Sequence, residues 1–302
     1  MRRFADRKDL HLTGLGRREC NLPRYHRVDL TLPFDLPDTP DVVIHAAARA
    51  SPWGTPAEFD RQNVRATQHV IDFCRRRGHP RLIYVSSSSV FYRNAHQHAL
   101  TESSPIGPTF VNEYAATKYR GEELLRGYEG ESVVLRPRAV FGPGDTVLFP
   151  RVLAAARKGV LPLLVGSSEV VVGDLIFIDV LCDYLLQAAT AMAISGSYNL
   201  TNAEPVPLQA LLLDVLAQLG VRAPRRRLHI STAMRAAGAL EWLFRALPLP
   251  GEPPLTRFGV GVFAYSKTFD VARALADLGK PGVGLREGVS RFVAWQRAQW
   301  RR

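Results

Sequence analysis

The first half of the chain alternates short apolar runs with longer helical stretches, and this alternation restricts the fold more than any other feature. Residues 41–47 are a largely apolar run of the kind found in strands that are buried on both faces. A helical stretch follows from 56 to 77 and ends at Gly78, and residues 81–86 form the next apolar run. This order predicts an α/β fold with a doubly wound parallel sheet and helices on both faces.

Further along the chain the pattern becomes more helical, with short strands between the helices. We expect residues 1–145 to carry most of the sheet and residues 146–302 to form a smaller, mostly helical lobe that is interleaved with the same sheet. Further predicted strands cover residues 10–15, 27–30, 131–135 and 197–200. Further predicted helices cover residues 114–127, 148–158, 178–191, 208–219, 232–247, 269–278 and 285–299.

The chain is basic, with a net charge of +11, and its positive charge is almost entirely arginine, since only five of its 39 basic residues are lysine. Arginine clusters at 75–77, 225–227 and 301–302 are typical of solvated helix ends and loops. Charge alone supports binding to nucleic acid only weakly, so we predict no nucleic-acid partner. No apolar run reaches the length of about 18–20 residues that a membrane span needs.

Three cysteines, Cys20, Cys74 and Cys182, lie far apart and form no Cys-x-x-Cys pair. They are interpreted as reduced thiols, and the sequence predicts no zinc site and no other metal centre. The N-terminal residues lack the apolar region of a secretory signal, so we predict a cytoplasmic location.

A tyrosine and a lysine four residues apart, Tyr114 and Lys118, lie in a predicted helix, downstream of a serine cluster at 86–89. Residues at this spacing share one helix face. A nearby positive charge favours a phenolate, so Lys118 is predicted to lower the pKa of Tyr114. A serine hydroxyl from the strand end can hold a substrate oxygen, and together these groups can move a proton on and off an alcohol while a hydride leaves its carbon.

These residues and their flanking motifs resemble the extended short-chain dehydrogenase/reductase superfamily, also called the epimerase/dehydratase superfamily. The C-terminal motifs are similar to the branch that contains 3β-hydroxysteroid dehydrogenases and related sterol or lipid oxidoreductases. The resemblance implies a Rossmann-like NAD(P)-binding domain at 1–145 and a substrate-binding lobe at 146–302. The motifs that carry it occur in family order at 28–30, 41–48, 63–64, 85–91, 114–118, 135–145, 252–257, 265–270 and 274–279.

The resemblance implies a role for each matching residue. Tyr114 would be the general acid/base, and Lys118 would tune its pKa and bond the nicotinamide ribose. Ser87 would be the catalytic hydroxyl, and Ser88 stays an alternative because a serine run permits a slip of one residue. His45 is interpreted as a core histidine. The implied cofactor contacts are Asp29, Leu30, Ala46, Ala47, Asn63, Pro137 and Arg138.

The superfamily opens with a strand and a Gly-x-x-Gly-x-x-Gly turn that binds the cofactor's pyrophosphate, and this chain has no such run near its start. Residues 13–18 contain Gly14 and Gly16 but lack the third glycine. We therefore expect about 20–25 residues, including the first strand, to be absent. Either the true start lies upstream of Met1, or the chain is a short, degenerate relative.

The end of the expected second strand bears on the choice of cofactor. Gly16 and Arg17 stand where an NAD enzyme would have an acidic residue for the ribose 2′-hydroxyl. An arginine suits a 2′-phosphate, so the sequence predicts NAD(P) binding through Arg17 with NADP preferred.

The leading functional interpretation is an NAD(P)-dependent oxidoreductase acting on a secondary alcohol or ketone of an apolar, sterol- or lipid-like substrate. Residues 233–244 would line a lipid pocket, contact a membrane surface peripherally, or simply form an amphipathic core helix. A nucleotide-sugar epimerase or dehydratase is the first alternative, although Ser87 is followed by no Asp-Glu pair and Gly173 stands where such enzymes have an arginine. A truncated, non-catalytic cofactor sensor is the second. A homodimer through the Tyr114 helix is expected by family analogy.

Overall fold

The computed structural model describes residues 1–191, 193–247 and 249–301, with only the backbone described at residue 2. Its strands are β1 (Gly14–Gly16), β2 (Tyr25–Arg27), β3 (Val42–His45), β4 (Arg81–Val85), β5 (Gln97–Leu100), β6 (Ser132–Pro137), β7 (Val140–Phe141), β8 (Leu163–Val165), β9 (Val172–Gly173), β10 (Ile176–Phe177), β11 (Gly196–Leu200), β12 (Val206–Pro207), β13 (Arg227–His229) and β14 (Lys267–Phe269).

The α-helices are α1 (Pro56–Phe59), α2 (Ala66–Arg76), α3 (Glu113–Leu125), α4 (Phe149–Arg157), α5 (Ile178–Thr190), α6 (Leu208–Gln218), α7 (Ile230–Ala246), α8 (Arg257–Ala264), α9 (Ala272–Asp277) and α10 (Leu285–Trp300). Short 3₁₀ turns cover Arg2–Phe4 and Ser88–Phe91. A π-helical turn, Asp60–Arg65, separates α1 from α2, so the helix predicted over 56–77 is interrupted after its first turn.

The central sheet has the strand order β11-β6-β4-β3, and every pairing within it is parallel. Helices cover both faces, which explains the nearly continuous apolar runs. In β4, Leu82 and Tyr84 pack into a cluster with α2, whereas Ile83 packs into the larger cluster on the opposite face. The predicted doubly wound α/β fold is confirmed, and the carboxyl ends of its parallel strands share one edge.

Strands β1 and β2 pair in parallel with each other but not with the central sheet, within the residues that the structure describes. Because β1 consists of Gly14, Leu15 and Gly16, its glycines form a strand and not a phosphate-binding turn. A side chain at Gly14 would collide with Met1 and Tyr25, and one at Gly16 would collide with the Tyr25 hydroxyl. Close packing therefore accounts for both glycines.

A second sheet, β12-β9-β14-β5, joins segments that are far apart in the chain. It places the segment after the serine cluster beside β14, while β11 from the C-terminal half completes the central sheet. The two halves are thus interleaved. The helix predicted over 269–278 begins only at Ala272, because residues 267–269 are held in this sheet. Among the described residues, none of the helices is both long and apolar enough to cross a membrane.

Candidate active site

Tyr114 and Lys118 lie one turn apart near the start of α3. The helix begins where the Asn112 side chain accepts a hydrogen bond from the Ala115 backbone N–H at 2.9 Å, which fixes Tyr114 in the first turn. Lys118 is buried, with 1% of its surface exposed, and its Nζ lies 4.2 Å from the centre of the Tyr84 ring. Burial lowers the pKa of Lys118 to about 7, and Glu122 opposes this change.

The Tyr114 phenol has a raised pKa in this structure, chiefly because it is removed from water, while interaction with the Ser87 hydroxyl opposes the rise. Burial is thus the main influence on this pKa, and the effect of Lys118 on it stays a prediction. In this structure the Lys118 ammonium lies over the Tyr84 ring.

The structure distinguishes the two serine candidates by their contacts. Ser87 caps the 3₁₀ turn by accepting a hydrogen bond from the Ser89 backbone N–H at 3.2 Å, and its half-buried hydroxyl lies 2.9 Å from the Ser89 hydroxyl. The Ser88 hydroxyl is buried and lies 3.1 Å from the Tyr92 hydroxyl. Of the two serines, Ser87 is the one whose hydroxyl acts on the pKa of Tyr114, so it stays the preferred candidate for the catalytic hydroxyl.

A buried ion pair that the sequence analysis missed holds α3 against β6. Arg136 donates two hydrogen bonds to the Glu122 carboxylate, at 3.0 and 2.7 Å, and both side chains are about 95% buried. The Ser86 hydroxyl donates to the same carboxylate at 2.5 Å. Together these contacts fix the helix that carries Tyr114 relative to the strand that ends at Pro137.

Five predicted cofactor contacts lie on the N-terminal side of the site. Ala46 and Ala47 are exposed directly after β3, at the carboxyl edge of the sheet. Arg17 is exposed after β1, with its Nη2 3.3 Å from the Gln62 side-chain oxygen. The exposed Asp29 has a lowered pKa because the Thr31 backbone N–H donates to it and Arg17 is near. The Leu30 carbonyl accepts a hydrogen bond from the His69 ring at 3.0 Å.

Asn63 is buried and its amide is already engaged by the protein. Its oxygen accepts from the Arg49 backbone N–H at 2.7 Å, and its Nδ2 donates to the Thr117 hydroxyl at 2.9 Å. Asn63 therefore ties the loop after β3 to α3. His45 lies beside it, 3.0 Å from the Thr67 hydroxyl, and burial lowers the His45 pKa to about 3, as suits a neutral core histidine.

Pro137 and Arg138, the two remaining predicted contacts, are both buried at the carboxyl end of β6. Arg138 lies over the Tyr92 ring, 5.2 Å from its centre, and the Lys267 Nζ lies 5.8 Å from that same centre. Asp174 is also within electrostatic reach of Arg138. Sequence reasoning did not group these residues, because Lys267 and Asp174 are brought here by the short strands of the second sheet.

A cluster that could hold a metal ion, His96, His98 and Glu169, lies outside this site in the described part of the chain. One Glu169 oxygen lies 2.9 Å from the His96 ring and 3.0 Å from the His98 ring. The Ser266 hydroxyl donates to that same oxygen at 2.5 Å. These side chains satisfy one another without a metal, so we assign the cluster no metal-binding role.

Comparison with known families gives a match over most of the chain. The profile of the family described as "NAD dependent epimerase/dehydratase family" matches residues 2–201. In structure, the chain is similar to MoeE5 in complex with UDP-glucuronic acid and NAD, with a TM-score of 0.70 and 23% identity over 94% of this chain and 90% of that one. At this identity the similarity shows a shared fold.

Curated relatives are more similar in sequence. A 2-alkyl-3-oxoalkanoate reductase of Stenotrophomonas maltophilia is 36% identical over 265 residues, which cover 84% of this chain and 80% of that protein. A decarboxylating sterol-4-alpha-carboxylate 3-dehydrogenase of Saccharomyces cerevisiae is 30% identical over 291 residues, covering 90% of this chain and 82% of the relative.

Proposed function

The chain belongs to the NAD dependent epimerase/dehydratase family, in its 3β-hydroxysteroid dehydrogenase-like branch, and from this premise we propose that it interconverts a secondary alcohol and a ketone on a lipid-like carboxylic acid. The observation that carries the proposal is the burial of Lys118 one helical turn from Tyr114, and the effect of the Ser87 hydroxyl on the pKa of Tyr114 supports it.

The names of the two relatives support a specific substrate class. In a 2-alkyl-3-oxoalkanoate, and at carbons 3 and 4 of a sterol-4-carboxylate, the carbon that changes oxidation state is next to the carbon that bears the carboxylate. We therefore propose a 3-oxo acid, or the corresponding 3-hydroxy acid, with an apolar substituent at its second carbon.

The residues present fit a nicotinamide cofactor at the carboxyl edge of the sheet. Ala46 and Ala47 offer small, exposed side chains where a cofactor can approach the backbone, and Asn63 holds the loop that follows them. When bound, the cofactor supplies the hydride donor or acceptor. Asp29 and Leu30 would contact its adenine half, and Pro137 would border its nicotinamide half.

The protein's own groups handle the proton and the substrate oxygen. Ser87 would donate a hydrogen bond to that oxygen, and Tyr114 would give it a proton during reduction or take one during oxidation. Lys118, released from the Tyr84 ring, would bond the ribose and bring positive charge near Tyr114. Its lowered pKa of about 7 lets this amine gain or lose its proton readily near neutral pH.

The direct test replaces Tyr114 by Phe, which removes the hydroxyl and keeps the ring. Loss of a general acid/base is expected to lower kcat by about 100- to 10,000-fold. Cofactor affinity and melting temperature should stay close to those of the unaltered protein. Retention of full activity by this variant would exclude the proposed mechanism.

Cofactor choice is a finer part of the proposal. We propose a preference for NADP, because Arg17 is exposed at the end of β1 and can reach a 2′-phosphate. Replacing Arg17 by Gln should weaken NADPH binding by about tenfold or more and leave NADH binding nearly unchanged. Equal effects on the two cofactors, followed by fluorescence titration, would contradict this assignment.

The nucleotide-sugar alternative finds less support at the residue level. Gly173, where such enzymes have an arginine, is buried, and a side chain there would press against Leu208. An arginine or lysine at this position would therefore require the Leu208 side chain of α6 to move.

Peripheral membrane contact and dimerisation also belong to the proposal. The end of α7 exposes Trp242, with 69% of its surface accessible, and Leu243, while Arg245 lies over the Trp53 ring. Emission from Trp242 should shift to the blue on anionic vesicles if this end enters the lipid interface.

A homodimer through α3 would be detected by its mass in solution.

A further inference from the structure

Arg138 is a buried cation whose charge the protein leaves without a close partner. Only 4% of its surface is exposed, and its Nε is buried without a hydrogen-bond partner among the described residues. Burying an unpaired charge costs free energy, so a buried and unpaired cation points to a ligand that supplies the opposite charge. By contrast, the neighbouring Arg136 is fully paired with Glu122.

The surroundings of Arg138 are positive overall. The buried Lys267 ammonium donates to the Ala95 carbonyl at 2.6 Å and to the Ser266 carbonyl at 3.3 Å, both of which are neutral acceptors. The nearby carboxylate, Asp174, accepts the Phe269 backbone N–H at 2.9 Å. Burial and the nearby Arg138 lower the pKa of Lys267 to about 7, so an anion bound beside Arg138 would favour the charged form of Lys267.

Arg138 borders an apolar cavity and lies near the candidate catalytic residues through Tyr92. The Tyr92 ring lies under the guanidinium, its hydroxyl is 3.1 Å from the Ser88 hydroxyl, and it is within electrostatic reach of Tyr114. Arg138 is also the charged member of a narrow cavity whose remaining lining is apolar. That lining consists of Ala139, Leu148, Phe149, Val152, Leu175, Leu208, Leu211, Leu212, Val262 and Phe263.

We infer that Arg138, assisted by Lys267, is the subsite that binds the substrate's carboxylate, with the adjoining alkyl group in the apolar cavity. This inference rests on the proposed function and adds the residues that select an acid over a neutral ketone or alcohol. A guanidinium matches a carboxylate with two parallel hydrogen bonds, which a neutral ester cannot reproduce. During oxidation a bound nicotinamide would accept the hydride from C3, Tyr114 in its phenolate form would take the hydroxyl proton, and the carboxylate would be unchanged.

The test compares a 2-alkyl-3-hydroxyalkanoic acid with its methyl ester, using the full chain and either NAD⁺ or NADP⁺. The unaltered protein should favour the acid in kcat/KM by about 10- to 100-fold, the range for a hydrogen-bonded charge. Arg138→Gln should remove most of this preference by lowering the value for the acid alone. Arg138→Lys should keep part of it, and Arg225→Gln, which removes an exposed charge, should keep all of it.

The outcomes separate this inference from the function on which it rests. Equal use of acid and ester by the unaltered protein would overturn the subsite and leave the oxidoreductase intact. Weaker cofactor binding by Arg138→Gln, with the acid preference retained, would assign Arg138 to a cofactor phosphate instead and also overturn it. Failure to oxidise either compound would reject both the subsite and the proposed oxidoreductase function. If Arg138→Gln does not fold, the Arg138→Lys and Lys267→Met variants provide the test. A full preference for the acid in both of these variants would reject the subsite.

Discussion

At the scale of single residues, the candidate site depends on a lysine that the fold makes hard to charge. Lys118 is buried against the Tyr84 ring, and its pKa falls to about 7 from an ordinary 10.5. The unfolded chain keeps a proton on this amine up to the higher value, whereas the folded chain releases it near the lower one. Between these pH values the unfolded state binds more protons, so stability from this group rises with pH.

Replacing Lys118 by Met should therefore stabilise the cofactor-free protein at pH 7 and below while abolishing activity. The expected gain is at least about 1 kcal/mol, because the pKa shift exceeds one unit. The difference in unfolding free energy between the variant and the unaltered protein should shrink as the pH rises from 7 to 9. Parallel pH profiles of urea unfolding for the two proteins would contradict the burial of a titrating amine.

Sequence reasoning could propose some residues of the candidate site but could not group others with them, for a physical reason. Tyr114, Lys118 and Ser87 lie close along the chain or at neighbouring strand ends, so spacing and motif order could locate them. Lys267 and Asp174 reach Arg138 only through the pairing of short strands late in the chain. The rise in the Tyr114 pKa was also beyond the sequence, since it depends chiefly on burial.

At the scale of elements, the bidentate pair between Glu122 and Arg136 makes the catalytic helix and a central strand one rigid unit. Both ions are withdrawn from water, and each relies on the other for compensation. The pair lies one turn beyond Lys118 on α3, so its loss would let the start of the helix move.

Glu122→Gln is expected to destabilise the protein by about 3–5 kcal/mol, because it leaves the Arg136 charge buried and unpaired. The double variant Glu122→Gln, Arg136→Met should recover much of this loss. Free energies of unfolding from urea titrations of the single and double variants give the coupling energy. Additive losses would show that the two side chains are not energetically linked.

The predictability of the elements followed their length. Helices such as α5, α6 and α10 were predicted within two residues of their ends, because several turns of apolar periodicity define them. The two- and three-residue strands β7 to β10, β12 and β13 are too short to show a period. The helix predicted over 269–278 included Phe269, yet this residue ends β14, and its pairing with Leu100 of β5 outweighs the local helical preference.

At the scale of the whole molecule, the parallel sheet is divided into two parts that do not bond to each other within the described residues. The segment that follows β2 is tied to α2, where the Leu30 carbonyl accepts a hydrogen bond from the His69 ring and the Phe34 carbonyl accepts one from Arg76. Strand β3 pairs with β4 on one side only.

This arrangement predicts an uneven pattern of amide hydrogen exchange. Amides of β4, which pairs on both sides, should exchange at least about tenfold more slowly than amides of β3, because edge amides open without disrupting the core. Exchange followed by NMR or mass spectrometry can resolve the two strands, with β6 as an internal reference for a central strand. Equal protection of β3 and β4 would mean that the β3 edge is covered.

The one-sided pairing of β3 also bears on how the protein is handled at the bench. Ile44, in the middle of that strand, is 43% exposed, so a row of unpaired peptide groups there is flanked by apolar surface. Such an edge is a template on which strands from other copies can add. Concentrated samples should therefore scatter more light over time, and Ile44→Lys, which places a charge on this edge, should slow that increase.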